Sequence, residues 1–364
     1  MCHSWIVALK STSVHKRTRK VVTQAFFLLL WWNCFPARFP VCSFHVTSAF
    51  IHTSPKGRFA GTSGRCDSAW LFASVSLEEG DVHVLRGDRS FTLYYRIFNP
   101  RSTRTPLVVC HGGPSLPSQY LYPLVELLDA RPIVFFDQLG CGKSDEPKDL
   151  SCYSISQCVE DLKEVIWQVV APNHTSFHLY GHSFGGVLAY EYLSFCLSDD
   201  RHAQFSQKST LPTCRSVMLS NTPNDLGRCN RDYDRMYAKN PLLFWQQHVC
   251  CVGAPPPLQD AMKHMGTVWT GMDVVAGYRA APLPHNKEND EMIPLLVISC
   301  ARDFAFDTSN GDVWVALLSQ NSSSDREFVT LENAAHYPFY ENKTAYGEIL
   351  CEFLSHVELQ LSKR

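Results

Sequence analysis

Residues 176–186 read Ser-Phe-His-Leu-Tyr-Gly-His-Ser-Phe-Gly-Gly. An apolar run ends at Tyr180, and small residues then surround Ser183 ahead of a segment that reads as a helix from about Gly186 to Phe195. A sharp strand-to-helix turn needs such neighbours, because backbone must pass close to backbone, and it holds the central side chain exposed at the helix start. Gly181-x-Ser183-x-Gly185 by itself arises by chance in many chains. Between a buried strand and a helix it reads as the seat of a nucleophile.

The same strand–helix alternation extends on both sides. TPLVVC at 105–110 and PIVFFD at 132–137 are short, nearly continuous apolar runs, as parallel strands buried on both faces require. YLYPLVELLDA at 120–130 and SISQCVEDLKEVIWQVV at 154–170 read as helices. Downstream, SVMLSN at 216–221, PLLVISC at 294–300 and EFVTLEN at 327–333 read as further strands, with helices over 311–320 and 345–361. Ahead of them, DVHVLRG and FTLYYRIFN alternate like a hairpin turning at Gly87-Asp88. The pattern predicts an α/β class with an open, mostly parallel twisted sheet flanked by helices. From about Asp225 to Met292 the alternation stops in a stretch rich in Pro, Trp, Met and Tyr, which reads as a small helical cap inserted above the carboxyl edge of the sheet. The expected division is a targeting leader over 1–66, a first core part over 67–224, the cap over 225–292 and a second core part over 293–364.

The chain has 364 residues, 45% of them hydrophobic, enough to bury a large core. Its net charge of -2 conceals an uneven distribution, since nine Lys or Arg precede the first acid, Asp67, leaving 24 basic against 35 acidic residues beyond it. That acidic remainder offers no nucleic-acid surface. The acid-free leader runs from HKRTRK at 15–20 into VVTQAFFLLLWWNCF at 21–35, in the order of a removable targeting segment. The apolar run is short for a membrane span, which takes roughly 20 residues. Secretory or organellar delivery is expected, and VTSAF at 46–50 resembles the junction of two-part plastid presequences; with a misassigned start codon the chain stays cytoplasmic. The fifteen cysteines match no disulfide framework or metal-ligand spacing, so no metal or cofactor is expected.

A serine hydroxyl is a poor nucleophile at neutral pH and needs a base that a carboxylate orients. On a sheet of this kind the acid and then the histidine follow later strands. Asp303 comes just after PLLVISC and His336 just after EFVTLEN. Asp307 is the rival acid and Asp312 a weaker one, since a carboxylate opening a helix is ordinary. Singly these are a turn acid and a loop histidine; the ordered trio is far less common. The oxyanion needs donors, and the Phe184 amide and the Gly113 amide of His111-Gly112-Gly113-Pro114 are the expected pair, with Gly112 next. His111 and His182 flank the site without occupying the base's position.

Together, LVVCHGGPS at 107–115, FFDQLGCGKSD at 135–145, YGHSFGG at 180–186, LVISCARD at 296–303 and NAAHYPF at 333–339 resemble the proline iminopeptidase family of α/β-hydrolases. The resemblance covers most of 80–196 and 293–352, with a fainter echo, LFWQQHVC, at 243–250. It implies an α/β-hydrolase fold, Ser183, Asp303 and His336 as a triad, and release of an N-terminal residue, typically proline, from a peptide or amino-acyl substrate. Two departures stand out. Ser115 occupies the last place of the family's HGGPG, and no cap glutamate stands where the family pairs one with the substrate's free amine; Asp273, Asp232 and Asp234 are the available acids. Esterase or amidase action on small acyl substrates is therefore the competing expectation, and a non-catalytic binding module the remoter one.

Overall fold

The computed structural model describes residues 76–198, 211–270, 275, 277–284, 293–305, 308–319 and 326–363. The leader expected over 1–66, and with it the candidate acids Asp273 and Asp307, lie outside the described residues.

The described strands are β1 (Leu77–Arg86), β2 (Arg89–Phe98), β3 (Leu107–Cys110), β4 (Ile133–Phe136), β5 (Ser176–His182), β6 (Thr213–Ser220), β7 (Leu295–Cys300) and β8 (Arg326–Leu331). They form one sheet in the order β1-β2-β4-β3-β5-β6-β7-β8. β1, β2 and β4 pair antiparallel, and every pairing from β4 through β3 to β8 is parallel. The hairpin turns at Gly87-Asp88, where Gly87 takes a positive φ of 64°. Every residue of β3, β4 and β7 is buried, which is why these segments read as unbroken apolar runs instead of alternating ones.

The main helices are α1 (Ile155–Val165), α2 (Phe184–Leu197), α3 (Leu226–Lys239), α4 (Pro256–Lys263), α5 (Thr308–Ser319) and α6 (Lys343–Ser362). α2 starts at Phe184, two residues before the sequence suggests, because Ser183 itself stands at the N-cap position. Nine of its fourteen residues are buried, and each large apolar side chain so buried contributes roughly 1.5–3 kcal/mol. The helix anticipated over 120–130 is broken into a 3-10 turn, Ser118–Leu121, and a single helical turn, Leu124–Leu127, on either side of Pro123, which removes a backbone donor. α1 opens on the hydroxyl of Ser154, which accepts from the Gln157 amide, and runs on into a π-helical turn over Ile166–Val170.

Between β6 and β7 lies the helical insertion. The Asp225 carboxylate caps α3 by accepting from the Arg228 amide. The short turn Pro241–Phe244 and the π-helical turn Trp245–Val249 follow, then α4. Among the described residues no helix is long and apolar enough to cross a membrane.

Candidate active site

Ser183 stands between β5 and α2 with φ 54° and ψ -123°, a backbone conformation that costs energy for any residue but glycine. Its amide is pinned to the Ser220 carbonyl of β6 at 2.9 Å. The elbow closes only because its neighbours lack side chains: a Cβ on Gly181 would collide with the Gly185 carbonyl, and one on Gly185 with the Cys110 carbonyl of β3. The glycine spacing thus packs the turn against the adjoining strand.

Asp303 and His336, on the loops after β7 and β8, are both buried. His336 Nδ1 lies 2.9 Å from Asp303 Oδ1. The ionised carboxylate accepts only, so Nδ1 carries the ring proton and Nε2 is left as the basic nitrogen. The remaining acceptor capacity of Asp303 is filled by the Ala305 amide, at 3.0 Å to Oδ1, and by Asn221 Nδ2, at 2.7 Å to Oδ2. Ser183 sits next to this pair in the fold, since the ring of its neighbour His182 lies 4.8 Å from that of His336. No hydrogen bond joins Ser183 Oγ to His336 among the described residues. Asp312 is exposed on α5.

The glycine loop after β3 abuts the elbow: a Cβ on Gly112 would fall 2.9 Å from Ser183 Cβ. The Gly112 amide donates to Tyr120 Oη at 2.7 Å, so it is already engaged. The amides of Gly113 and Phe184 have no partner among the described residues. Phe184 is the first residue of α2, where an amide has no intrahelical acceptor and the helix dipole favours negative charge. Both amides are thus open to an acceptor.

His111 is buried behind the loop, its Nε2 accepting from the Gln138 amide at 2.8 Å and its Nδ1 2.8 Å from the Gly112 carbonyl. Burial holds its pKa below the ordinary value, against the pull of Asp137. Asp137 in turn accepts from the amide and hydroxyl of Ser118, both at 2.8 Å, and from the Lys143 amide at 3.0 Å. The DQLGCGKS stretch is therefore a scaffold under the glycine loop after β3. Ser115, the departure in HGGPS, is buried and its carbonyl accepts from the Gly266 amide of the cap at 3.0 Å.

The sequence did not reveal the roles of three structural contributors. Asn221, with φ 52°, follows β6 and braces Asp303; an Asn ending a strand ahead of a loop was the available signal. The cap segment LFWQQHVC binds the loops of both Asp303 and His336, the Val249 carbonyl accepting from the His336 amide at 3.1 Å and the His248 carbonyl from the Phe304 amide at 3.3 Å. Glu341 holds the histidine loop by accepting from the Ala335 amide at 2.6 Å, and it also takes the Cys251 amide at 2.6 Å. These are pairings between distant segments that no local spacing displays.

Of the cap acids, Asp232 is paired with Arg235 at 2.9 Å, and Asp234 is exposed. Trp269 is buried, stacks on Tyr153 at 5.4 Å and meets Phe184 edge-on at 6.4 Å, so the insertion reaches the residue next to Ser183. Among the described residues no group of three or more His, Cys, Asp or Glu is placed to hold a metal ion. Cys110 and Cys300 end β3 and β7 as buried thiols whose pKa values burial pushes upward, so they act as small apolar side chains.

The sequence pattern described as "Alpha/beta hydrolase family" matches residues 107–346. A proline iminopeptidase of Lactobacillus crispatus is 34% identical over 315 residues, covering 75% of this chain and 99% of that protein. One from Saccharolobus solfataricus is 26% identical over 307 residues, covering 78% of this chain and 94% of its own. Among solved structures, the proline iminopeptidase of Mycobacterium smegmatis superposes with a TM-score of 0.59 at 20% identity, over 78% of this chain and all (100%) of that one. VinJ gives the same TM-score, 0.59, at 19% identity over 77% and 98% of the two chains. At such identities the two structures speak for the fold alone.

Proposed function

The chain belongs to the proline iminopeptidase-like α/β-hydrolases, and on that premise we propose that it is a serine hydrolase releasing an N-terminal residue, preferentially proline, from peptides or amino-acyl amides. The observation that carries the reading is the His336–Asp303 contact at 2.9 Å on loops flanking the strained elbow of Ser183.

In this mechanism His336 Nε2 takes the Ser183 Oγ proton as Oγ bonds to the substrate's carbonyl carbon. The oxygen of that carbonyl becomes the oxyanion, held by the Gly113 and Phe184 amides. Collapse breaks the carbon–nitrogen bond, and the departing amine leaves with the proton held by His336. Water then enters, giving one proton to His336 and its oxygen to the acyl carbon, and the proton returns to Ser183. Asp303 keeps the imidazole in the required tautomer and balances its positive charge. No step calls for a metal. Asp273 is assigned to the substrate's ammonium, and residues 1–66 to organellar or secretory delivery.

A second reading, esterase or amidase action on small acyl groups, draws on one observation. Cap acids Asp225, Asp232 and Asp260 are each engaged, by Arg279 at 2.8 Å, Arg235 at 2.9 Å and Gln119 at 2.7 Å. Release of 4-nitroaniline from free and N-blocked prolyl, alanyl and leucyl anilides separates the two. The peptidase reading expects the free prolyl compound to be cleaved fastest and its blocked form to be rejected; equal cleavage of both favours the second reading.

A further inference from the structure

His182, the residue immediately before the nucleophile, is fully enclosed, yet it reaches two loops at once. Its Nε2 lies 2.7 Å from the backbone carbonyl of His336, and its Nδ1 lies 2.8 Å from Tyr120 Oη. Tyr120 Oη in turn accepts from the Gly112 amide at 2.7 Å. A carbonyl only accepts, so Nε2 bears the proton and Nδ1 is an acceptor. The Tyr120 hydroxyl therefore donates to Nδ1, which leaves its oxygen free to accept from Gly112. One assignment satisfies all three bonds. Aromatic packing holds the bridge in place: the His182 ring stacks on Tyr337 at 5.7 Å, and the Tyr120 ring meets Tyr337 edge-on at 5.7 Å.

We propose that His182 and Tyr120 are positioning residues that tie the oxyanion loop to the loop carrying His336, through the residue adjoining Ser183. The inference rests on the reading of Ser183 as nucleophile. At one end the bridge fixes the peptide plane of the Gly112 amide, while His111 Nδ1, 2.8 Å from the Gly112 carbonyl, holds the next plane, which carries the Gly113 amide. At the other it fixes the backbone of His336 itself. Neither loop can shift relative to the elbow without breaking a buried hydrogen bond, so donor and base keep a common register. The bridge uses the Gly112 amide structurally, which assigns oxyanion stabilisation to Gly113 and Phe184.

The test compares Tyr120→Phe, which deletes one oxygen, with His182→Leu, which removes both ring contacts, and His182→Gln, whose amide can both donate and accept. Each full-length variant reacts with a fluorophosphonate, and the reaction is resolved into affinity and maximal rate per titratable site. In Tyr120→Phe and His182→Leu the maximal rate is expected to fall at least about tenfold while affinity stays within about threefold, the signature of misplacement without lost binding. His182→Gln is expected to recover most of the rate. A purely structural role lowers the melting temperature or the titratable fraction and leaves the rate per site unchanged; that result overturns the inference. Nitrogen-15 NMR of the wild-type imidazole supplies a readout independent of any variant's folding, with the proton expected on Nε2; a proton on Nδ1 overturns it as well. Wild-type protein that fails to label at Ser183 removes the nucleophile reading and the bridge together. Labelling of wild type with an undiminished rate in Tyr120→Phe removes the bridge alone.

Discussion

Asn221 Nδ2 donates to Asp303 Oδ2 at 2.7 Å and, from the same nitrogen, to the Ala335 carbonyl at 3.1 Å. One side chain thus touches the acid and the backbone next to His336. Its φ of 52° is a conformation that Asn tolerates better than most residues. Asn221→Ala is expected to lose a hydrogen bond to a charged group, worth roughly 1.5–3 kcal/mol, and to strain the backbone as well. Asn221→Gly removes the hydrogen bond without the strain. Both are expected to lower kcat at least about tenfold as Asp303 loses its brace, with the Ala variant the less stable in urea. A Gly variant with wild-type kcat would show that the brace is dispensable.

Glu146 fastens the cap. Burial raises its pKa, but hydrogen bonds from Lys148, from Thr267 and from the Val268 amide outweigh that and bring it from 4.5 to about 2. A depressed carboxylate contributes stability above its unfolded pKa and loses it as pH falls through the folded value. Glu146→Gln is therefore expected to melt lower than wild type at pH 7, with the gap closing between about pH 4.5 and pH 2 as the native residue protonates. The variant is also expected to raise KM, because Trp269 follows directly on the segment that Glu146 holds. Melting curves that stay parallel across this range would contradict the assignment.

Three enclosed histidines, His111, His178 and His182, have pKa values held below the ordinary 6.5, in each case chiefly by burial. The unfolded chain binds protons below pH 6.5 that the folded protein refuses, so stability is fully present above that pH and declines beneath it. The decline steepens with each histidine that the unfolded chain protonates and the folded protein does not. Urea unfolding between pH 7 and pH 5 measures it. His178→Gln is expected to lessen that decline; an unchanged decline would remove His178 from the set.

The features legible in the sequence are those fixed by short-range pattern. Buried parallel strands need continuous apolar runs, so LVVC, IVFF and LLVISC announce β3, β4 and β7. The elbow needs glycine where Gly181 and Gly185 approach backbone, and Asp303 and His336, each following a strand in order, lie 2.9 Å apart in the structure. What stayed hidden depends on partners chosen in three dimensions. The sequence ranks Gly113 ahead of Gly112, but only the Tyr120 hydroxyl, eight residues on, shows that the Gly112 amide is already spent. His182 reads as a bystander until the His336 carbonyl, 154 residues away, is found at its Nε2. Pro123 was visible, yet the segment's apolar spacing concealed that it would divide the helix.

Ser183 is the centre of the proposed mechanism, and covalent capture probes its reactivity. The wild-type protein is incubated with a fluorophosphonate, digested, and the modified peptide sequenced by mass spectrometry, alongside Ser183→Ala and His336→Ala. The prediction is a single adduct on Ser183, absent from Ser183→Ala and slowed at least about a hundredfold in His336→Ala for want of the base. No adduct on Ser183, or labelling that proceeds equally without His336, would contradict it.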